Sequence, residues 1–525
     1  MSSTFPRALA GLLAARAYPH SVDEIVLVET HISWVLLAGQ FAYKIKRPVR
    51  YPFIDMRSLE RRKFLCHEEL RLNRRFATDL YLEVSDITLV EGEARIGGSG
   101  PVLEQAVRMR RFDRGQQLDR LLAAGAVEPG ELADFGRRLA QIHAQLPVAA
   151  AHEPWGQFAH VRSLILTNLE QALQAAAPTG AAAGIEALRA PLMRQLEAVE
   201  PWITARRAQG RVRECHGDLH ARNVIRHQGR LMAFDCVEFE PAFRWIDVAD
   251  ETALLLTDLE ARGHLTHAHA FWGGYLESSG DFQSHRVLAL YKAHRALVRA
   301  KVAALSCAAD APQPYPGGWR EEQRRLIECA RQALRPRTPV LLLMCGLSGS
   351  GKTWLAEQLA PRLQLVHLRS DVERKRPLGL GALAHSGSAL QQGLYSEAAT
   401  REVYARLETC AHDILAGGYG ALVDATFARR ADRARFRALA ARLGVSLQLI
   451  HCHAPPTILR ARIAVRRRAA ADASEADESV LSWQTGHFEP VGVEEALPLI
   501  DTDTSDPQTP QRVLAALAAA GVIDT

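Results

Sequence analysis

The sequence has little of what disulfide-rich, nucleic-acid-binding or membrane-spanning chains need. Its eight cysteines are scattered over 525 residues with no C-x-x-C pair, which argues against a disulfide framework. Aromatic residues make up 6% and the net charge is only +5, so neither stacking rings nor strong basic charge indicates nucleic acid as a partner. No apolar stretch approaches the ~20 residues of a membrane span. We therefore expect a cytoplasmic protein with reduced thiols and no membrane partner.

The first 300 residues change from mainly strand-like patterns to mainly helical patterns along the chain. Residues 1–19 predict an amphipathic helix rather than a signal peptide, because Arg16 interrupts the apolar run. Residues 24–46 alternate like three short strands, and residues 57–76 have helical spacing with Ser58 as a possible cap. Strands are expected near 86–96 and 101–109, and mostly helix from 115 to 305, with a loop region at 213–240. This order predicts a small β lobe followed by a helical lobe.

A second domain follows a linker. Residues 308–318 (AADAPQPYPGG) have linker composition, and a charged helix is expected over about 319–334. Apolar β segments then alternate with helical stretches, which predicts a parallel sheet with helices on both faces. The expected segments are 340–345, 364–368, 421–424, 446–451 and 498–501.

Residues 346–353 read GLSGSGKT, which fits the phosphate-binding pattern G-x-x-x-x-G-K-[ST]. The apolar segment VLLLMC precedes the motif and the helical segment TWLAEQLAPRL follows it, which is the strand-to-helix context that the pattern requires. Gly346 and Gly351 allow the tight turn, Lys352 would reach the β- and γ-phosphates, and Thr353 would join Mg²⁺. The predicted nucleotide-binding residues here are Gly346, Leu347, Ser348, Gly349, Ser350, Gly351, Lys352 and Thr353.

Three further side chains are candidates around this loop. Asp371, at the end of the second strand, can take a proton from an attacking hydroxyl, and Arg374 can hold an anionic substrate. Asp424, at the end of the next strand, is the candidate Mg²⁺ ligand. The alternative is that Asp371 and Arg374 are surface charges, and that Asp424 caps the following segment.

The basic segment RARIAVRRRAA (460–470) precedes an acidic stretch and can close as a lid over the phosphates. Arg462 or Arg466 would then contact the nucleotide. A solvated charged helix is the alternative for either arginine.

A second phosphate-handling pattern lies far upstream. Residues 216–223 read HGDLHARN, which fits the kinase-type loop H-x-D-x-x-x-x-N. Asp218 can accept the proton of an acceptor hydroxyl, and Asn223 can bind a metal ion. Asp235 ends the apolar strand of RLMAFDCVEF, where a second metal-binding acid is expected. The alternative is an ordinary polar turn.

The upstream lobe should supply a lysine and a glutamate. FAYKIK gives Lys44 in the A-x-K register, with Lys46 on the same strand face as a rival. Glu68 and Glu69 lie in the following helix. Glu69 is preferred because Leu70 and Leu72 then fall at packed positions, and an exposed ion pair is the alternative.

These motifs resemble two families. GLSGSGKT, Ser370–Arg374 (S-D-x-x-R), Asp424–Thr426 (D-A-T) and the lid-like arginines make residues 337–525 similar to small P-loop kinases of the gluconate kinase, polynucleotide kinase and chloramphenicol phosphotransferase type. Residues 1–307 resemble aminoglycoside phosphotransferase-like proteins, with FGRRLAQIHAQLP and EPAFRWIDVA around the loop. The whole order resembles a bacterial fusion family described as bifunctional aminoglycoside phosphotransferase/ATP-binding protein. One departure is the segment ETHIS between the first two strands, which is no Gly-rich loop.

The resemblance implies a two-domain α/β and α+β chain. We predict a bilobal protein-kinase-like domain at 1–307, with a small lobe at about 1–111 and a helical lobe at about 112–307. A linker and helix follow at 308–336, and a P-loop kinase domain with a parallel α/β/α sheet at 337–525. By the same resemblance Asp371 is the acceptor-side base and Arg466 a lid arginine.

The predicted function is a bifunctional ATP-dependent kinase (EC 2.7 type) using ATP and Mg²⁺ to phosphorylate hydroxyls of small molecules. One alternative is that only the P-loop domain is active and the N-terminal domain is a binding or regulatory module. Another is a nucleic-acid end kinase, which would need a basic groove with stacking aromatics and is less expected.

Overall fold

The computed structural model describes residues 5–51, 54–308, 317–384, 396–469 and 473–523. Most of the predicted linker, residues 309–316, lies outside these ranges, as do residues 470–472 after the basic helix. Across the ranges that are described, no helix combines the length and the apolarity needed to cross a membrane.

The chain divides into two compact units. Unit 1 comprises Met1–Glu131, Ile142–Val161 and Thr204–Asp258, and unit 2 comprises Leu132–Gln141, Arg162–Ile203 and Leu259–Thr525. Helices on both sides of the predicted linker therefore belong to unit 2. The domain boundaries proposed from the sequence remain a prediction, because each unit gathers separate segments rather than dividing the chain at one point.

The β lobe in unit 1 is a six-stranded antiparallel sheet with the order β1-β2-β3-β8-β6-β7. Helix α1 packs on β8, and the Ser58 side chain caps it by accepting from the Arg61 amide, as predicted. The strand expected near 86–96 is two strands, because a turn at Glu91 and Gly92 separates β6 from its partner β7. Strand β6 also begins earlier than expected, since its pairing with β8 extends to Tyr81, opposite Met109. The elements are β1 (Ile25–Glu29), β2 (Ser33–Ala38), β3 (Phe41–Lys46), the short pair β4 (Arg50–Tyr51) and β5 (Ile54–Asp55), α1 (Leu59–Asn73), β6 (Tyr81–Val90), β7 (Glu93–Ile96) and β8 (Val102–Arg110).

The N-terminal segment differs from its prediction. Two short 3₁₀ helices, Arg7–Leu13 and Ala15–Ala17, stand where one amphipathic helix was expected. The chain turns at Ala14, whose φ of −111° and ψ of 138° are extended, so a continuous helix cannot form. Leu9 and Leu12 still bury their side chains in the core of the sheet.

The mostly helical region contains two small strand pairs that frame the predicted loop region. Strand β9 pairs with β12, and β10 forms a hairpin with β11. The turn of this hairpin separates the two halves of the kinase-like motif. The elements are α2 (Leu118–Ala123), α3 (Pro129–Gln145), α4 (Phe158–Ala176), α5 (Ala182–Glu186), α6 (Arg189–Ala208), β9 (Val212–Glu214), β10 (Val224–His227), β11 (Arg230–Ala233), α7 (Pro241–Arg244), β12 (Trp245–Asp247) and α8 (Val248–Ala261).

Unit 2 combines helices from both sides of the predicted linker with a five-stranded parallel sheet of order β14-β15-β13-β16-β17. Every residue of the central strand β13 is buried, as expected for a parallel strand covered on both faces. Strand β14 starts at Val366 rather than 364, because Gln364 adopts φ 53° and closes helix α12. The elements are α9 (Leu265–Ser279), α10 (His285–Ala308), α11 (Gly318–Leu334), β13 (Val340–Cys345), α12 (Lys352–Leu363), β14 (Val366–Arg369), α13 (Ser370–Lys375), α14 (Glu397–Ala416), β15 (Ala421–Asp424), α15 (Arg430–Leu443), β16 (Ser446–His453), α16 (Pro456–Ala469), α17 (Glu478–His487), β17 (Leu499–Asp503) and α18 (Thr509–Ala519).

Candidate active sites

The loop 346–351 joins the central strand β13 to α12 in a conformation that requires glycine. Gly346 has φ 140° and Gly351 has φ 82°. A Cβ on Gly346 would lie 2.2 Å from the carbonyl oxygen of Cys452, and one on Gly351 would lie 2.7 Å from Thr504 Oγ1. The backbone therefore wraps tightly at the N-terminus of α12, where amide groups and the helix dipole favour a phosphate.

The polar side chains at the start of α12 meet an acid at the end of β15. Lys352 Nζ donates to the carbonyl of Leu347 at 2.9 Å, and Thr353 Oγ1 donates to Asp424 Oδ2 at 2.6 Å. Burial raises the pKa of Asp424, but the hydrogen bond from His367 and the nearby positive charges outweigh it and lower that pKa to about 2. Asp424 is therefore an ionised carboxylate beside a hydroxyl, an oxygen pair that suits Mg²⁺.

A cavity of about 890 Å³ opens beside this loop. Its volume falls in the range of small-molecule sites. Of the predicted loop residues, Gly346, Leu347 and Ser350 do not line the cavity. The remaining predicted residues of this half of the chain do line it, namely Ser348, Gly349, Gly351, Lys352, Thr353, Asp371, Arg374, Asp424 and Arg466.

Asp371 and Arg374 reach the cavity from α13, which begins directly after β14. Arg374 donates to Thr400 Oγ1 on α14 at 3.3 Å. Both side chains thus line the same space as Lys352 of the P-loop. A carboxylate and a guanidinium therefore share the cavity with the P-loop, and their assignment to the acceptor side stays a prediction.

The two lid candidates differ in what they contact. Arg462 donates to Thr504 Oγ1 and to the Thr504 carbonyl, both at 2.8 Å, and to the Gly349 carbonyl at 3.3 Å. Arg466 donates to the Ala476 carbonyl at 3.1 Å, in the connection between α16 and α17. Arg462 therefore contacts the P-loop directly, whereas Arg466 ties the basic helix to the segment that follows it.

Two residues that bond directly to the P-loop, Thr504 and Gln484, were missed by the sequence analysis. Thr504 Oγ1 donates to the Ser350 carbonyl at 2.7 Å, and Gln484 Oε1 accepts from the Ser348 amide at 2.8 Å. Thr504 directly follows β17, so the rule that ligands bind at carboxyl ends of parallel strands could have found it. Gln484 lies on α17 outside any motif, and no signal in the sequence singles it out.

The kinase-like loop is held by buried groups. His216 Nε2 contacts the Phe234 carbonyl at 2.8 Å, and Glu251 accepts from the backbone amides of His216 and Gly217 at 2.9 and 3.0 Å. Burial lowers the pKa of His216 to about 4, so its ring is neutral. Nε2 therefore carries the proton, and Nδ1 accepts from the Asp218 amide at 3.3 Å. Glu251 was missed by the sequence analysis.

The loop brings Asp218 and Asn223 together. Asn223 Nδ2 donates to the Asp218 carbonyl at 3.0 Å and to its carboxylate at 3.3 Å. This orientation leaves Asn223 Oδ1 as an acceptor for a cation. The Asp218 side chain is 42% exposed, so it can meet an acceptor molecule.

The predicted lysine, glutamate and second acid also converge. Lys44 Nζ lies 2.8 Å from Glu69 Oε1 and 2.5 Å from Asp235 Oδ1. Burial lowers the pKa of Lys44, but the carboxylates of Asp235 and Glu69 outweigh it and raise that pKa well above its ordinary value. Glu68 instead pairs with Arg71.

The rival lysine makes a different ion pair. Lys46 contacts Glu69 and Glu238, and its side chain is fully buried, whereas Lys44 keeps 13% of its side chain exposed. Lys44 is therefore better placed to meet a ligand, and Lys46 to hold the buried carboxylates. Glu238 was missed by the sequence analysis, although it lies only three residues after Asp235.

Backbone contacts fix Asp235 in an unusual conformation, with φ 68°. Its amide donates to the Tyr81 hydroxyl at 3.1 Å, and the next amide, of Cys236, donates to Asn73 Oδ1 at 2.9 Å. Asn73 Nδ2 in turn donates to the Glu69 carbonyl at 2.8 Å. Asn73, four residues after Glu69 on the buried face of α1, therefore links the glutamate helix to the second acid.

The turn between β1 and β2 is short and internally bonded. Thr30 Oγ1 accepts from the Ser33 amide at 2.9 Å, and the Thr30 amide donates to the Ser33 carbonyl at 2.9 Å. Arg47 donates to the Thr30 carbonyl at 2.5 Å. Backbone and side-chain groups of this turn therefore bond to one another, and the segment ETHIS contains no glycine.

Comparisons with known proteins identify both halves. The model of a family described as a phosphotransferase enzyme family matches residues 60–291, and the model of a family described as an AAA domain matches residues 341–491. The predicted two-domain fold and the predicted resemblance are thereby confirmed. The chain is a kinase or phosphotransferase with an N-terminal protein-kinase-like domain and a C-terminal P-loop kinase domain.

Two mycobacterial relatives match most of the chain and are described as uncharacterized proteins. An uncharacterized protein of Mycobacterium tuberculosis is 29% identical over 477 residues, covering 90% of this chain and 93% of that protein, and one of Mycobacterium bovis matches equally. Among solved structures, a choline/ethanolamine kinase family protein from Mesorhizobium loti is 13% identical with a TM-score of 0.36, covering 59% of this chain and 88% of that chain. A gluconokinase from Sinorhizobium meliloti 1021 is 19% identical with a TM-score of 0.27, covering 35% of this chain and 94% of that chain.

Proposed function

We propose that the chain is a bifunctional phosphotransferase that moves the γ-phosphoryl group of ATP to hydroxyl groups of small molecules at two sites. One observation carries the proposal: phosphate-binding and acceptor-side groups, Lys352, Asp371 and Arg374, line a single cavity of about 890 Å³. A cavity of this size can hold a nucleotide and a small acceptor together, which direct transfer between them requires.

At the P-loop site, Lys352 and the loop amides hold the β- and γ-phosphates and stabilise the charge that develops during transfer. Asp371 accepts the proton of the acceptor hydroxyl while the oxygen of that hydroxyl bonds to the γ-phosphorus. The bond between that phosphorus and the β–γ bridging oxygen breaks, and ADP leaves. Arg374 orients an anionic group of the acceptor.

At the kinase-like site, Asp218 accepts the acceptor proton, and Lys44, oriented by Glu69, contacts the nucleotide phosphates. The oxygen atoms of Asn223 and Asp235 fit a divalent cation, as do those of Thr353 and Asp424 at the P-loop. Bound Mg²⁺ neutralises phosphate charge at such sites. The protein groups hold the nucleotide in line with the acceptor.

A second function is favoured by the geometry of the N-terminal lobe. The short β1–β2 turn bonds to itself, and Lys44 is already paired with Asp235 at 2.5 Å. Nucleotide binding would have to separate this ion pair without a Gly-rich loop to compensate. In this alternative only the P-loop domain transfers phosphate, and the N-terminal domain binds a ligand without turnover.

A metabolite screen with the full chain, ATP and Mg²⁺ tests both readings. We expect phosphorylated products from two acceptor classes, one abolished by Lys352→Ala and the other by Asp218→Asn. Products that all disappear with Lys352→Ala and persist with Asp218→Asn would establish the single-site alternative. No product in any arm, together with no ATP binding by calorimetry, would contradict the proposal itself.

A further inference from the structure

A second large cavity in unit 2 lies away from the P-loop site. It has a volume of about 870 Å³ and forms where α6, α10, the end of α11 and the loop before β15 meet. Among the described residues, none lines both this cavity and the P-loop cavity. We call it the arginine groove after its charged residues, which are Arg194, Arg286, Arg331, Arg335 and Arg337.

The charge of the arginine groove is one-sided. Among the described residues that line it, none is an aspartate or a glutamate. Arg286 is paired with Asp413 at 3.1 Å, and Arg331 is paired with Glu328. Within the part of the chain that the structure describes, Arg194, Arg335 and Arg337 have no carboxylate partner. Three positive charges thus share one concave surface, where they repel each other until an anion binds.

Two aromatic rings hold two of the arginines in place. The Arg286 guanidinium lies 4.5 Å from the centroid of the Trp202 ring, and that of Arg337 lies 4.7 Å from the Tyr419 ring. Such contacts order a guanidinium without using its N–H donors. The Tyr419 hydroxyl is buried and has no hydrogen-bond partner among the described residues. Arg337 therefore offers an ordered guanidinium that no described carboxylate satisfies, whereas Arg286 already donates to Asp413.

We propose that the arginine groove binds a small phosphorylated anion, a phosphate ester or nucleoside phosphate, at a site separate from both transfer sites. Planar guanidinium groups pair with phosphate oxygens through two parallel hydrogen bonds, which favours phosphate over a simple point anion. The absence of lining carboxylates disfavours cationic ligands. The volume suits a molecule of nucleotide size.

The proposal is tested by titrating inorganic pyrophosphate into the full chain after both transfer sites are saturated with Mg²⁺ and a non-hydrolysable ATP analogue. We expect a remaining pyrophosphate site that the double substitution Arg335→Ala and Arg337→Ala weakens at least tenfold. Arg194→Glu, which does not disturb either aromatic contact, should weaken it at least as much. Arg442→Ala, an exposed arginine of α15 outside the groove, should change it less than twofold.

Titrations with ADP show whether the groove recognises a nucleoside phosphate or the phosphate group alone. Tighter binding of ADP than of pyrophosphate would assign a nucleoside phosphate, and equal binding would assign the phosphate group alone. The proposal is overturned if the saturated protein binds no pyrophosphate, or if the groove substitutions leave binding unchanged. It is also overturned if a single-stranded RNA binds with the same sensitivity to these substitutions and the small anions do not.

Discussion

The two candidate sites are assembled in opposite ways. The P-loop site takes its phosphate-binding groups from eight consecutive residues, 346–353, that join one strand to one helix. The kinase-like site joins Lys44 to Asp235, which are 191 residues apart in the sequence. The first depends on local backbone geometry and the second on how separate elements pack. A contiguous site can survive changes elsewhere in the fold, whereas a dispersed one depends on every element that supports it.

The sites also differ in how their charges are satisfied without a nucleotide. Lys352 donates to a carbonyl, and Gln484 accepts from the Ser348 amide, so these groups have neutral partners that a phosphate can displace. Lys44 is paired with two carboxylates. Exchanging a neutral partner for a phosphate costs less than separating a lysine from its carboxylate partners. We therefore expect tighter nucleotide binding at the P-loop site.

The largest expected effect comes from Lys352→Ala. Removing this charge from the phosphates should lower phosphoryl transfer at the P-loop site about 10³-fold, as is typical for loss of a group that stabilises developing charge. The measurement is ATP turnover by the full chain carrying Asp218→Asn, so that only the P-loop site can act. Arg362→Ala, an exposed change on the same helix, is the matched control and should keep full turnover. Unchanged turnover in the Lys352 variant would remove the P-loop from the mechanism.

Asp371→Asn should separate binding from transfer. The amide cannot accept the acceptor proton, so transfer should fall about 10²-fold. Nucleotide affinity, measured by calorimetry, should stay within about twofold of the parent, because Asp371 is proposed to act on the acceptor rather than on the nucleotide. A variant that instead binds ATP weakly and transfers at the parental rate when saturated would assign Asp371 to the nucleotide. Asp432→Asn, which changes another acid lining the cavity, controls for loss of charge alone.

The sequence predicted the contiguous site more completely than the dispersed one. The motif, its flanking strand and helix, and the strand-end acids Asp371 and Asp424 followed from local patterns, because strand ends around a P-loop meet at one edge of the sheet. Gln484 was missed because it reaches the loop from α17 through a tertiary contact. No local pattern specifies such a contact.

For the kinase-like site, the sequence predicted two candidate lysines but did not distinguish them. Lys44 and Lys46 lie on the same face of β3, and both contact Glu69 in the folded chain. What distinguishes them is the burial of Lys46 and its contact with Glu238, which depend on how the lobe closes around them. The N-terminal helix was predicted wrongly for a related reason, since the extended conformation of Ala14 comes with packing of Leu9 and Leu12 on the sheet.

A smaller effect is expected from Arg376→Ala, which tests whether the acceptor side depends on packing outside the P-loop. Arg376 follows α13 and donates to the carbonyls of Glu277 and Ser278, at the end of α9, at 2.8 and 3.2 Å. It also pairs with the buried Glu373 at 2.7 Å. Loss of these contacts should let α13 shift and lower kcat about tenfold.

A positioning role of Arg376 is distinguished from general destabilisation by measuring ATP affinity and kcat separately. ATP affinity in Arg376→Ala should remain within about twofold, while kcat falls and Arg376→Lys recovers part of it. If ATP affinity and kcat fall together, and the unfolding temperature drops with them, Arg376 supports the fold rather than the acceptor side.

The smallest expected effect is the influence of one site on nucleotide binding at the other. Asp218→Asn keeps the size of the side chain and changes no group of the P-loop, and Lys352→Ala changes no group of the kinase-like loop. Effects at sites without shared partners add in free energy, so each variant should leave nucleotide affinity at the other site within about twofold, a few tenths of a kcal/mol. Three matched titrations, of ATP into each single variant and into the double variant, measure this. Coupling of fivefold or more, about 1 kcal/mol, would show that the sites communicate. Equal turnover of the parent and Asp218→Asn on every acceptor would instead show that only the contiguous site works. Coupling would make the dispersed site a regulator of the contiguous one. Equal turnover without coupling would leave the ion pairs of the dispersed site a purely structural role.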